Sequence, residues 1–433
     1  MPSTLYSHIT EQSLSDMAKR RVIVVGGGAS GLMAAGQAAA NGADVLLLEK
    51  TVRPGQKLRL SGKGRCNLTN HASRDDFLAA YGKNGRFLTQ AYHRFFSTEL
   101  ITFFQQLGIE LVLETGGRYF PRDHDADAIG SALERWGRSV SVKTVVGCAV
   151  RQLCVTAGTC AGILTENGET HSADAVILAT GGMSYPETGS TGDGYVMAAA
   201  AGHTIHPTRP ALVPVVTSGK TARMLQGLSL RDVTVQVLID GKRQAAMVGD
   251  LLFTHFGLSG PVILPLSRMM VDGLRERCKV EVSVDLAPSP NERTLDQAML
   301  SILAARGGQQ LQNALAALLP ERLVPICLEV ADIAGDIPGS QVTRAERERL
   351  GAVIKDFRLT VNGHRPFTEA FVTAGGVDLR EIDPYTMQSR LVQELYFAGE
   401  VIDIDGPTGG YNLQAAFSTG WLAGRSAAGA QAL

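Results

Sequence analysis

The chain has 433 residues, 45% hydrophobic and 19% charged, with a formal net charge of −1. That length holds two or three domains with a sizeable core, and the even charge balance excludes the overall basic footprint of a nucleic-acid binder. Six cysteines without a CxxC pair or zinc-type His/Cys spacing, and no apolar run near the ~18 residues of a membrane span, point to a reduced cytoplasmic protein with no metal site and no membrane contact.

Residues 1–19 are polar, lack the apolar centre of a signal peptide, and read as a disordered leader. Met17, just before the first strand, offers an alternative start. Arg21 to Lys50 then reads RVIVVGGGASGLMAAGQAAANGADVLLLEK. Val22–Val25 is a buried strand. Ala29–Asn41 is Ala-rich and helical, Gly42 ends it, and Asp44–Leu48 is a second strand closed by Glu49. Gly26, Gly28 and Gly31 supply GxGxxG between strand and helix, and Glu49 follows at roughly the 20-residue spacing of a dinucleotide fingerprint. Gly26 permits the tight turn. Gly28 admits a pyrophosphate to the helix N-terminus. Glu49 accepts from the adenosine ribose, and its charge disfavours a 2′-phosphate there, so NADP is not the ligand of this site.

The fingerprint fits FAD and NAD alike, and three later stretches favour FAD. Gly55–Asn70, GQKLRLSGKGRCNLTN, is a Gly- and Lys-rich loop suited to a longer ligand. Its SGKG is not a P-loop, because Gly64 rather than Ser or Thr follows Lys63. Ala175–Gly182, AVILATGG, is a strand ending in Thr180-Gly181-Gly182. Near the end of the chain, Leu395–Ala398 is a strand, Gly399-Glu400 ends it, and Gly409-Gly410-Tyr411-Asn412 leads into a helix from about Leu413. Asp403 and Asp405 do not make a calcium loop, since no glutamate follows Gly406.

Past Ala201 the texture changes. Pro207, Pro210 and Pro214 mark a boundary. Residues 231–239 alternate as a strand, Asp240-Gly241 is a hairpin signal, and 242–253 return. Residues 278–286 read as a strand, Phe357–Val361 with Asn362-Gly363 as another hairpin, and 291–319 and 343–357 as helices. The organisation expected is an FAD-binding domain over 20–203 plus 366–433, a β-rich insertion over 204–290 plus 355–365, and a helical subdomain over 291–354. No second GxGxxG follows a strand, so a nicotinamide donor binds transiently.

The stretches VVGGGASGL, SGKGRCNLTN, LATGG with SYPETGSTGDGY, LLFTHFGLSGP and GEVIDIDGPTGGYNLQAAFSTG span nearly the whole chain after residue 20. In them the chain resembles the YhiN/BaiN-like NAD(P)/FAD-dependent oxidoreductases of the two-dinucleotide-binding superfamily, distantly akin to the fumarate reductase and aspartate oxidase flavoproteins. The resemblance implies an α/β fold: a discontinuous Rossmann-like FAD-binding domain with a small β-barrel insertion and a helical subdomain over the flavin face. It implies that the last segment returns to the first domain, with Glu400 on the FAD ribityl or pyrophosphate and the helix at Asn412 aimed at the flavin pyrimidine.

The cofactor set expected from motif and resemblance begins with Gly26, Gly28, Ala29, Ser30 and Gly31, then Glu49, Lys50 and Lys57. The loop adds Ser61, Gly62, Gly64, Arg65 and Cys66. Ala149, Val150, Thr180, Gly181 and Gly182 follow, and the tail adds Gly399, Glu400, Gly410, Tyr411, Asn412 and Leu413. Bound FAD takes hydride from NAD(P)H and passes it through N5 to an electron-poor acceptor. By analogy with the family, that acceptor is a small enone-like molecule with a carbon–carbon double bond conjugated to a carbonyl. His255 in THFGLSGP is the candidate proton donor or a structural histidine. Arg118 in GGRYFPR orients a carboxylate or carbonyl, or is a surface cation. Tyr411 lies by the flavin or packs, and Cys66, with no partner cysteine nearby, reads as packing rather than redox. The alternative to a reductase is a flavoprotein whose FAD is structural or sensory, serving a partner or an RNA-modification role. Oligomeric state is not encoded in any of these motifs.

Overall fold

The computed structural model describes residues 19–287 and 291–430. All of the expected leader but Lys19 lies outside them, as does Met17, and so do residues 288–290 at the end of the first stretch of the expected β-rich insertion. The chain forms two compact units, one from the residues up to Thr208 together with those from Gly375 onward, the other from Arg209–Ala374.

The first unit is built on a five-stranded parallel sheet. Its strands are β1 (Arg21–Val25), β2 (Asp44–Glu49), β3 (Lys143–Val146), β4 (Ala175–Leu178) and β5 (Leu395–Phe397), in the spatial order β5-β4-β1-β2-β3. The inner strands read as unbroken apolar runs because both faces are covered, and Val22, Val24, Leu47, Val176, Ile177 and Leu178 are fully enclosed. Helix α1 (Ala29–Ala40) crosses from β1 to β2, α2 is Ala126–Ser139, and the final helix, α3, is Tyr411–Ala427. A three-stranded antiparallel sheet over Val150–Ser172 and another of Thr69–Asn70, Leu111–Glu114 and Arg118–Pro121 complete the unit.

The contact of α3 with α1 is set by small residues. A Cβ on Gly420 would stand 2.4 Å from the Ser30 carbonyl oxygen, and one on Gly424 would stand 2.3 Å from that of Ala34. Residues 420 and 424 thus step along α1 in the same direction as 30 and 34, so the two helices run parallel and in register with their backbones touching.

A buried polar pin holds the segment that returns to β5. The His203 side chain is fully enclosed. Its Nε2 lies 2.8 Å from Ser389 Oγ, and its Nδ1 lies 3.2 Å from Glu381 Oε2. Ser389 Oγ already accepts from the amides of Leu391 and Val392 at 3.0 and 2.9 Å. Its own proton therefore goes to Nε2, leaving Nδ1–H to donate to Glu381. A second proton on the ring would find no acceptor, and burial pushes the imidazole pKa below its ordinary value although Glu381 opposes this.

The second unit is a closed six-stranded barrel with helices. Its strands are Val215–Thr217, Ser229–Ile239, Lys242–Phe253, Gly257–Ser259, Val280–Asp285 and Phe357–His364. Asp240 and Gly241, both at positive φ (49° and 76°), make the expected tight hairpin. Asn362-Gly363, expected as a hairpin turn, lies within the last strand instead. There Gly363 and His364 pair with Val216 and Val215, and a register shift at Val216/Thr217 absorbs the irregularity. Barrel closure takes the strand past the Asn-Gly pair, which overrides its turn preference. The helix expected over 291–319 is two, Glu292–Arg306 and Leu311–Leu315, interrupted at Gly307-Gly308, where two successive glycines favour the unwound chain. Valine and leucine side chains fill the barrel: Val235, Val237, Leu251, Leu258 and Val282 are inaccessible.

Two tests follow from these contacts. Gly424→Val forces a side chain into the α1 backbone and should destabilise the protein by about 1–3 kcal/mol in urea unfolding; unchanged stability would show that the two helices are not locked together. Because the folded imidazole of His203 takes up its proton at lower pH than the unfolded one, the unfolded chain binds the extra proton first. Stability should therefore fall as pH drops below about 6.5, and His203→Gln should flatten that slope in unfolding curves compared at pH 7.5 and 5.5.

Candidate active site

The turn after β1 begins the site. Gly26 has φ +99°, and a Cβ there would lie 2.6 Å from the Ala179 carbonyl oxygen. Gly31 packs so closely that a Cβ would be 1.8 Å from the Gly26 oxygen, whereas one on Gly28 would have nothing within 4 Å. The three glycines thus do different work: a turn, an open approach, and a helix–strand contact. α1 begins at Ala29 with no side-chain cap and no acid in its first turn. Its first amides and the positive end of its dipole are left for an anion. Ser30 Oγ donates to the Ala398 carbonyl at 3.3 Å, tying this end of α1 to the tail.

Glu49, 7% exposed at the end of β2, accepts from Gly27 N (2.7 Å), Thr51 N (2.8 Å) and Thr51 Oγ1 (2.8 Å). Its carboxylate anchors the fingerprint turn itself. Lys50 ion-pairs with Asp193 at 2.5 Å and also reaches Thr191. Cys148 N donates to the Glu49 carbonyl at 3.0 Å, which brings Ala149 and Val150 beside the same strand end.

The middle of the site joins three distant segments. Lys57 Nζ donates to Ser184 Oγ at 2.5 Å and pairs with Glu400 Oε2 at 2.7 Å. Gly399, at φ +76°, leaves room for Ser30, whose Oγ would otherwise lie 2.3 Å from a Cβ. Thr180 Oγ1 is buried without a hydrogen-bond partner, and Gly181 follows at φ +73°. Ser61 Oγ donates to the Leu58 carbonyl at 2.7 Å. The loop it opens is left-handed at Gly62 (58°), Lys63 (59°), Gly64 (82°) and Cys66 (54°). At the two non-glycine residues this costs of the order of 1–3 kcal/mol each. Cys66 is enclosed, and burial pushes its thiol up to about 12 and so favours the protonated form. Arg65 is committed to Glu114 and lies 4.2 Å over the Phe120 ring.

The tail closes the far end. Gly410, at φ +96°, would place a Cβ 2.4 Å from the Thr69 backbone. Thr69 Oγ1 donates to Gln414 Oε1 at 2.6 Å, and Asn70 Nδ2 to the Gly409 carbonyl at 2.9 Å. Asn412 turns its amide back onto Gly406, accepting from its N at 2.8 Å and donating to its O at 2.9 Å. It thus shapes the loop rather than capping α3. Leu413 is half-buried beside it. The Tyr411 ring lies 4.3 Å from that of Phe77. α3 also starts with no side-chain cap and no acid in its first turn. Since Gly420 sits beside Ser30, and α1 starts one residue before Ser30 while α3 starts nine before Gly420, the α3 N-terminus stands eight residues, about 12 Å at 1.5 Å per residue, beyond that of α1.

These hydrogen bonds and close backbone contacts therefore link the expected segments around Gly28, Glu49, Lys57, Glu400 and Gly410. Sequence reading missed Ser184, Gly189, Thr191 and Asp193 of the loop after β4. A Cβ on Gly189 would lie 2.8 Å from Thr51 Cγ2 and 3.7 Å from Glu49 Oε1. The signal was present in SYPETGSTGDGY, whose Gly189 and Gly192 adopt φ of 97° and 89°. Arg118 is exposed and donates to the Thr115 carbonyl at 2.9 Å. Burial, together with Asp76, raises the Tyr411 phenol pKa. His255 belongs to the other unit, where it is exposed and meets the Phe256 ring edge-on at 4.9 Å. Among the described residues no cluster of His, Cys, Asp or Glu could hold a metal.

The residues fit FAD: an uncapped helix end suited to the pyrophosphate, a carboxylate where the adenosine ribose would lie, and a second uncapped helix end further along the same side. Glu49→Gln removes charge-assisted hydrogen bonds worth roughly 1.5–3 kcal/mol each, so FAD titration of the apo-protein should show affinity lowered about tenfold or more. An unchanged dissociation constant would place the ribose elsewhere.

Comparison with known proteins agrees with this geometry. The family model described as "HI0933-like protein Rossmann domain" matches residues 20–426. The chain is 35% identical over 410 residues to a "3-dehydro-bile acid delta(4,6)-reductase" of Clostridium scindens, covering 94% of this chain and 99% of that protein. It is 32% identical over 403 residues to a "Ribosomal RNA dihydrouridine synthase" of Escherichia coli K12, covering 92% and 96%. Among solved structures, the 3-ketosteroid-Δ4-(5α)-dehydrogenase of Rhodococcus jostii RHA1 shares the fold. Its TM-score is 0.51 at 16% identity, over 96% of this chain and 99% of that one. The chain belongs to the HI0933-like family and is an FAD-dependent oxidoreductase.

Proposed function

We propose that this protein adds two hydrogens across a carbon–carbon double bond conjugated to a carbonyl, using FAD recharged by transiently bound NAD(P)H. The observation that supports this best is the pair of parallel helices whose uncapped N-termini stand about 12 Å apart on one side, suited to the two halves of FAD, in a chain with no second dinucleotide fingerprint. Bound flavin supplies hydride transfer at N5. The chain supplies the rest: Glu49 and the α1 amides hold the adenosine and pyrophosphate half, Lys57 and Glu400 the centre, and the α3 amides the pyrimidine. His255 is the proposed proton donor, and Arg118 and Tyr411 the proposed groups that orient the acceptor.

The names of the two relatives share one chemistry. A Δ4,6 bile acid oxidised at position 3 is a conjugated dienone, and the uracil ring of uridine has its C5=C6 bond conjugated to a carbonyl. A small enone of steroid type is our first reading of the acceptor. Uridine in RNA is the second, and one observation favours it. Residues 50–98 hold ten Lys and Arg against two Asp and Glu; Lys50, Arg53, Lys57, Arg59 and Arg65 are ion-paired with acids from other segments, while Lys63, Lys83 and Arg86 are exposed. Exposed cations such as these three attract a polyanion.

Anaerobic reduction of the FAD-loaded protein by NADH and by NADPH, followed by mixing with a 3-keto-4,6-diene steroid or with ribosomal RNA, tests the proposal. Flavin reoxidation by the steroid supports the first reading; reoxidation by RNA alone, with dihydrouridine found by mass spectrometry, supports the second. No reoxidation by either would refute both. His255→Ala should slow reoxidation by the productive acceptor by about 10²–10⁴-fold and leave reduction by NAD(P)H unchanged.

A further inference from the structure

We propose that Tyr81 is a positioning residue for the flavin: its hydroxyl fixes the first turn of α3 and strengthens the amide that this turn offers to the pyrimidine ring. This rests on the reading that FAD lies with its flavin at the α3 N-terminus, and it concerns a residue that touches neither fingerprint nor tail motif in sequence.

Tyr81 follows the helix Arg74–Ala80 and is 1% exposed. Its oxygen lies 2.6 Å from Tyr92 Oη and 2.7 Å from the Tyr411 carbonyl oxygen. A phenol has one proton to give. The carbonyl can only accept, so Tyr81 donates to Tyr411 and Tyr92 must donate to Tyr81. The relay thus runs one way, from Tyr92 through Tyr81 to the peptide carbonyl. Burial pushes both phenols well above their ordinary range, which keeps both protons in place.

The accepting carbonyl belongs to the same peptide group as the Asn412 amide. Hydrogen bonding to the oxygen of a peptide polarises its N–H, and a chain of such bonds reinforces the effect. That N–H is in the first turn of α3, where no side chain caps it and no acid neutralises the helix dipole. The Asn412 side chain is occupied by Gly406. The Tyr81 ring also bounds this loop, since a Cβ on Gly406 would lie 2.7 Å from Tyr81 Cε1. Tyr81 therefore sets both where the turn stands and how strongly its amide donates.

Positive potential near the pyrimidine favours reduced flavin and the adduct of sulfite at N5, both of which gather negative charge in that ring. Tyr81→Phe removes one oxygen and keeps the ring. In FAD-loaded protein it should weaken sulfite binding roughly two- to fivefold and move the flavin midpoint potential to a more negative value. Tyr92→Phe removes only the upstream donor and should shift both readouts the same way by less. A folded, yellow Tyr81→Phe protein with wild-type potential and sulfite affinity would overturn the proposal, however far its melting temperature falls. Should that variant not fold, Tyr92→Phe decides: wild-type sulfite affinity there overturns it equally. Wild-type protein that takes up no FAD would instead remove the flavin reading on which the inference rests.

Discussion

The close parallel packing of α3 on α1 is the constraint on which the site depends. Gly420 and Gly424 bring the two backbones together at Ser30 and Ala34, and only small residues allow this approach. Because the helices run in the same direction, both present their amide ends on the same side, and because they are in register, the offset between those ends is fixed by counting residues. One end stands at the fingerprint turn, where a pyrophosphate would lie. The other stands about 12 Å further on. A segment more than 370 residues from the fingerprint is thus held beside it.

The interactions around this frame are nearly all between segments far apart in the chain. Lys57 meets Glu400 and Ser184, Thr69 meets Gln414, Asn70 meets Gly409, and Tyr81 meets Tyr411. Each is a buried or half-buried hydrogen bond whose partner, left alone, would cost about 1–3 kcal/mol. The loop Gly55–Asn70 and the tail Gly399–Gln414 consequently stabilise each other, which explains why both look so specified although neither lies in a regular strand of the sheet. The strained left-handed residues Lys63 and Cys66 sit in this loop, held there by the packing of Cys66 and the bonds of Thr69 and Asn70.

The βαβ unit, its three glycines, Glu49 and the returning tail were legible in the sequence because each is announced by a local pattern: strand, turn, helix, acid. The hairpin at Asp240-Gly241 was legible for the same reason. Barrel closure was not, since it is decided by which strands meet rather than by any one of them, and it carried the Asn362-Gly363 pair into a strand. The His203–Ser389–Glu381 pin, the loop holding Ser184 and Asp193, and the Tyr92–Tyr81–Tyr411 relay join residues whose spacing has no period to detect. The sequence motifs located the two helix ends proposed to hold the cofactor. What fixes the distance between them is the packing of α3 along α1.

The central claim is that two helix ends, one from each end of the chain, hold the two halves of one FAD. Titration of the apo-protein with FAD, ADP and FMN in parallel tests it most directly. The account predicts that FAD binds about tenfold or more tighter than either half, because each fragment engages only one helix end. ADP binding as tightly as FAD would contradict it, for the flavin half would then gain nothing from α3.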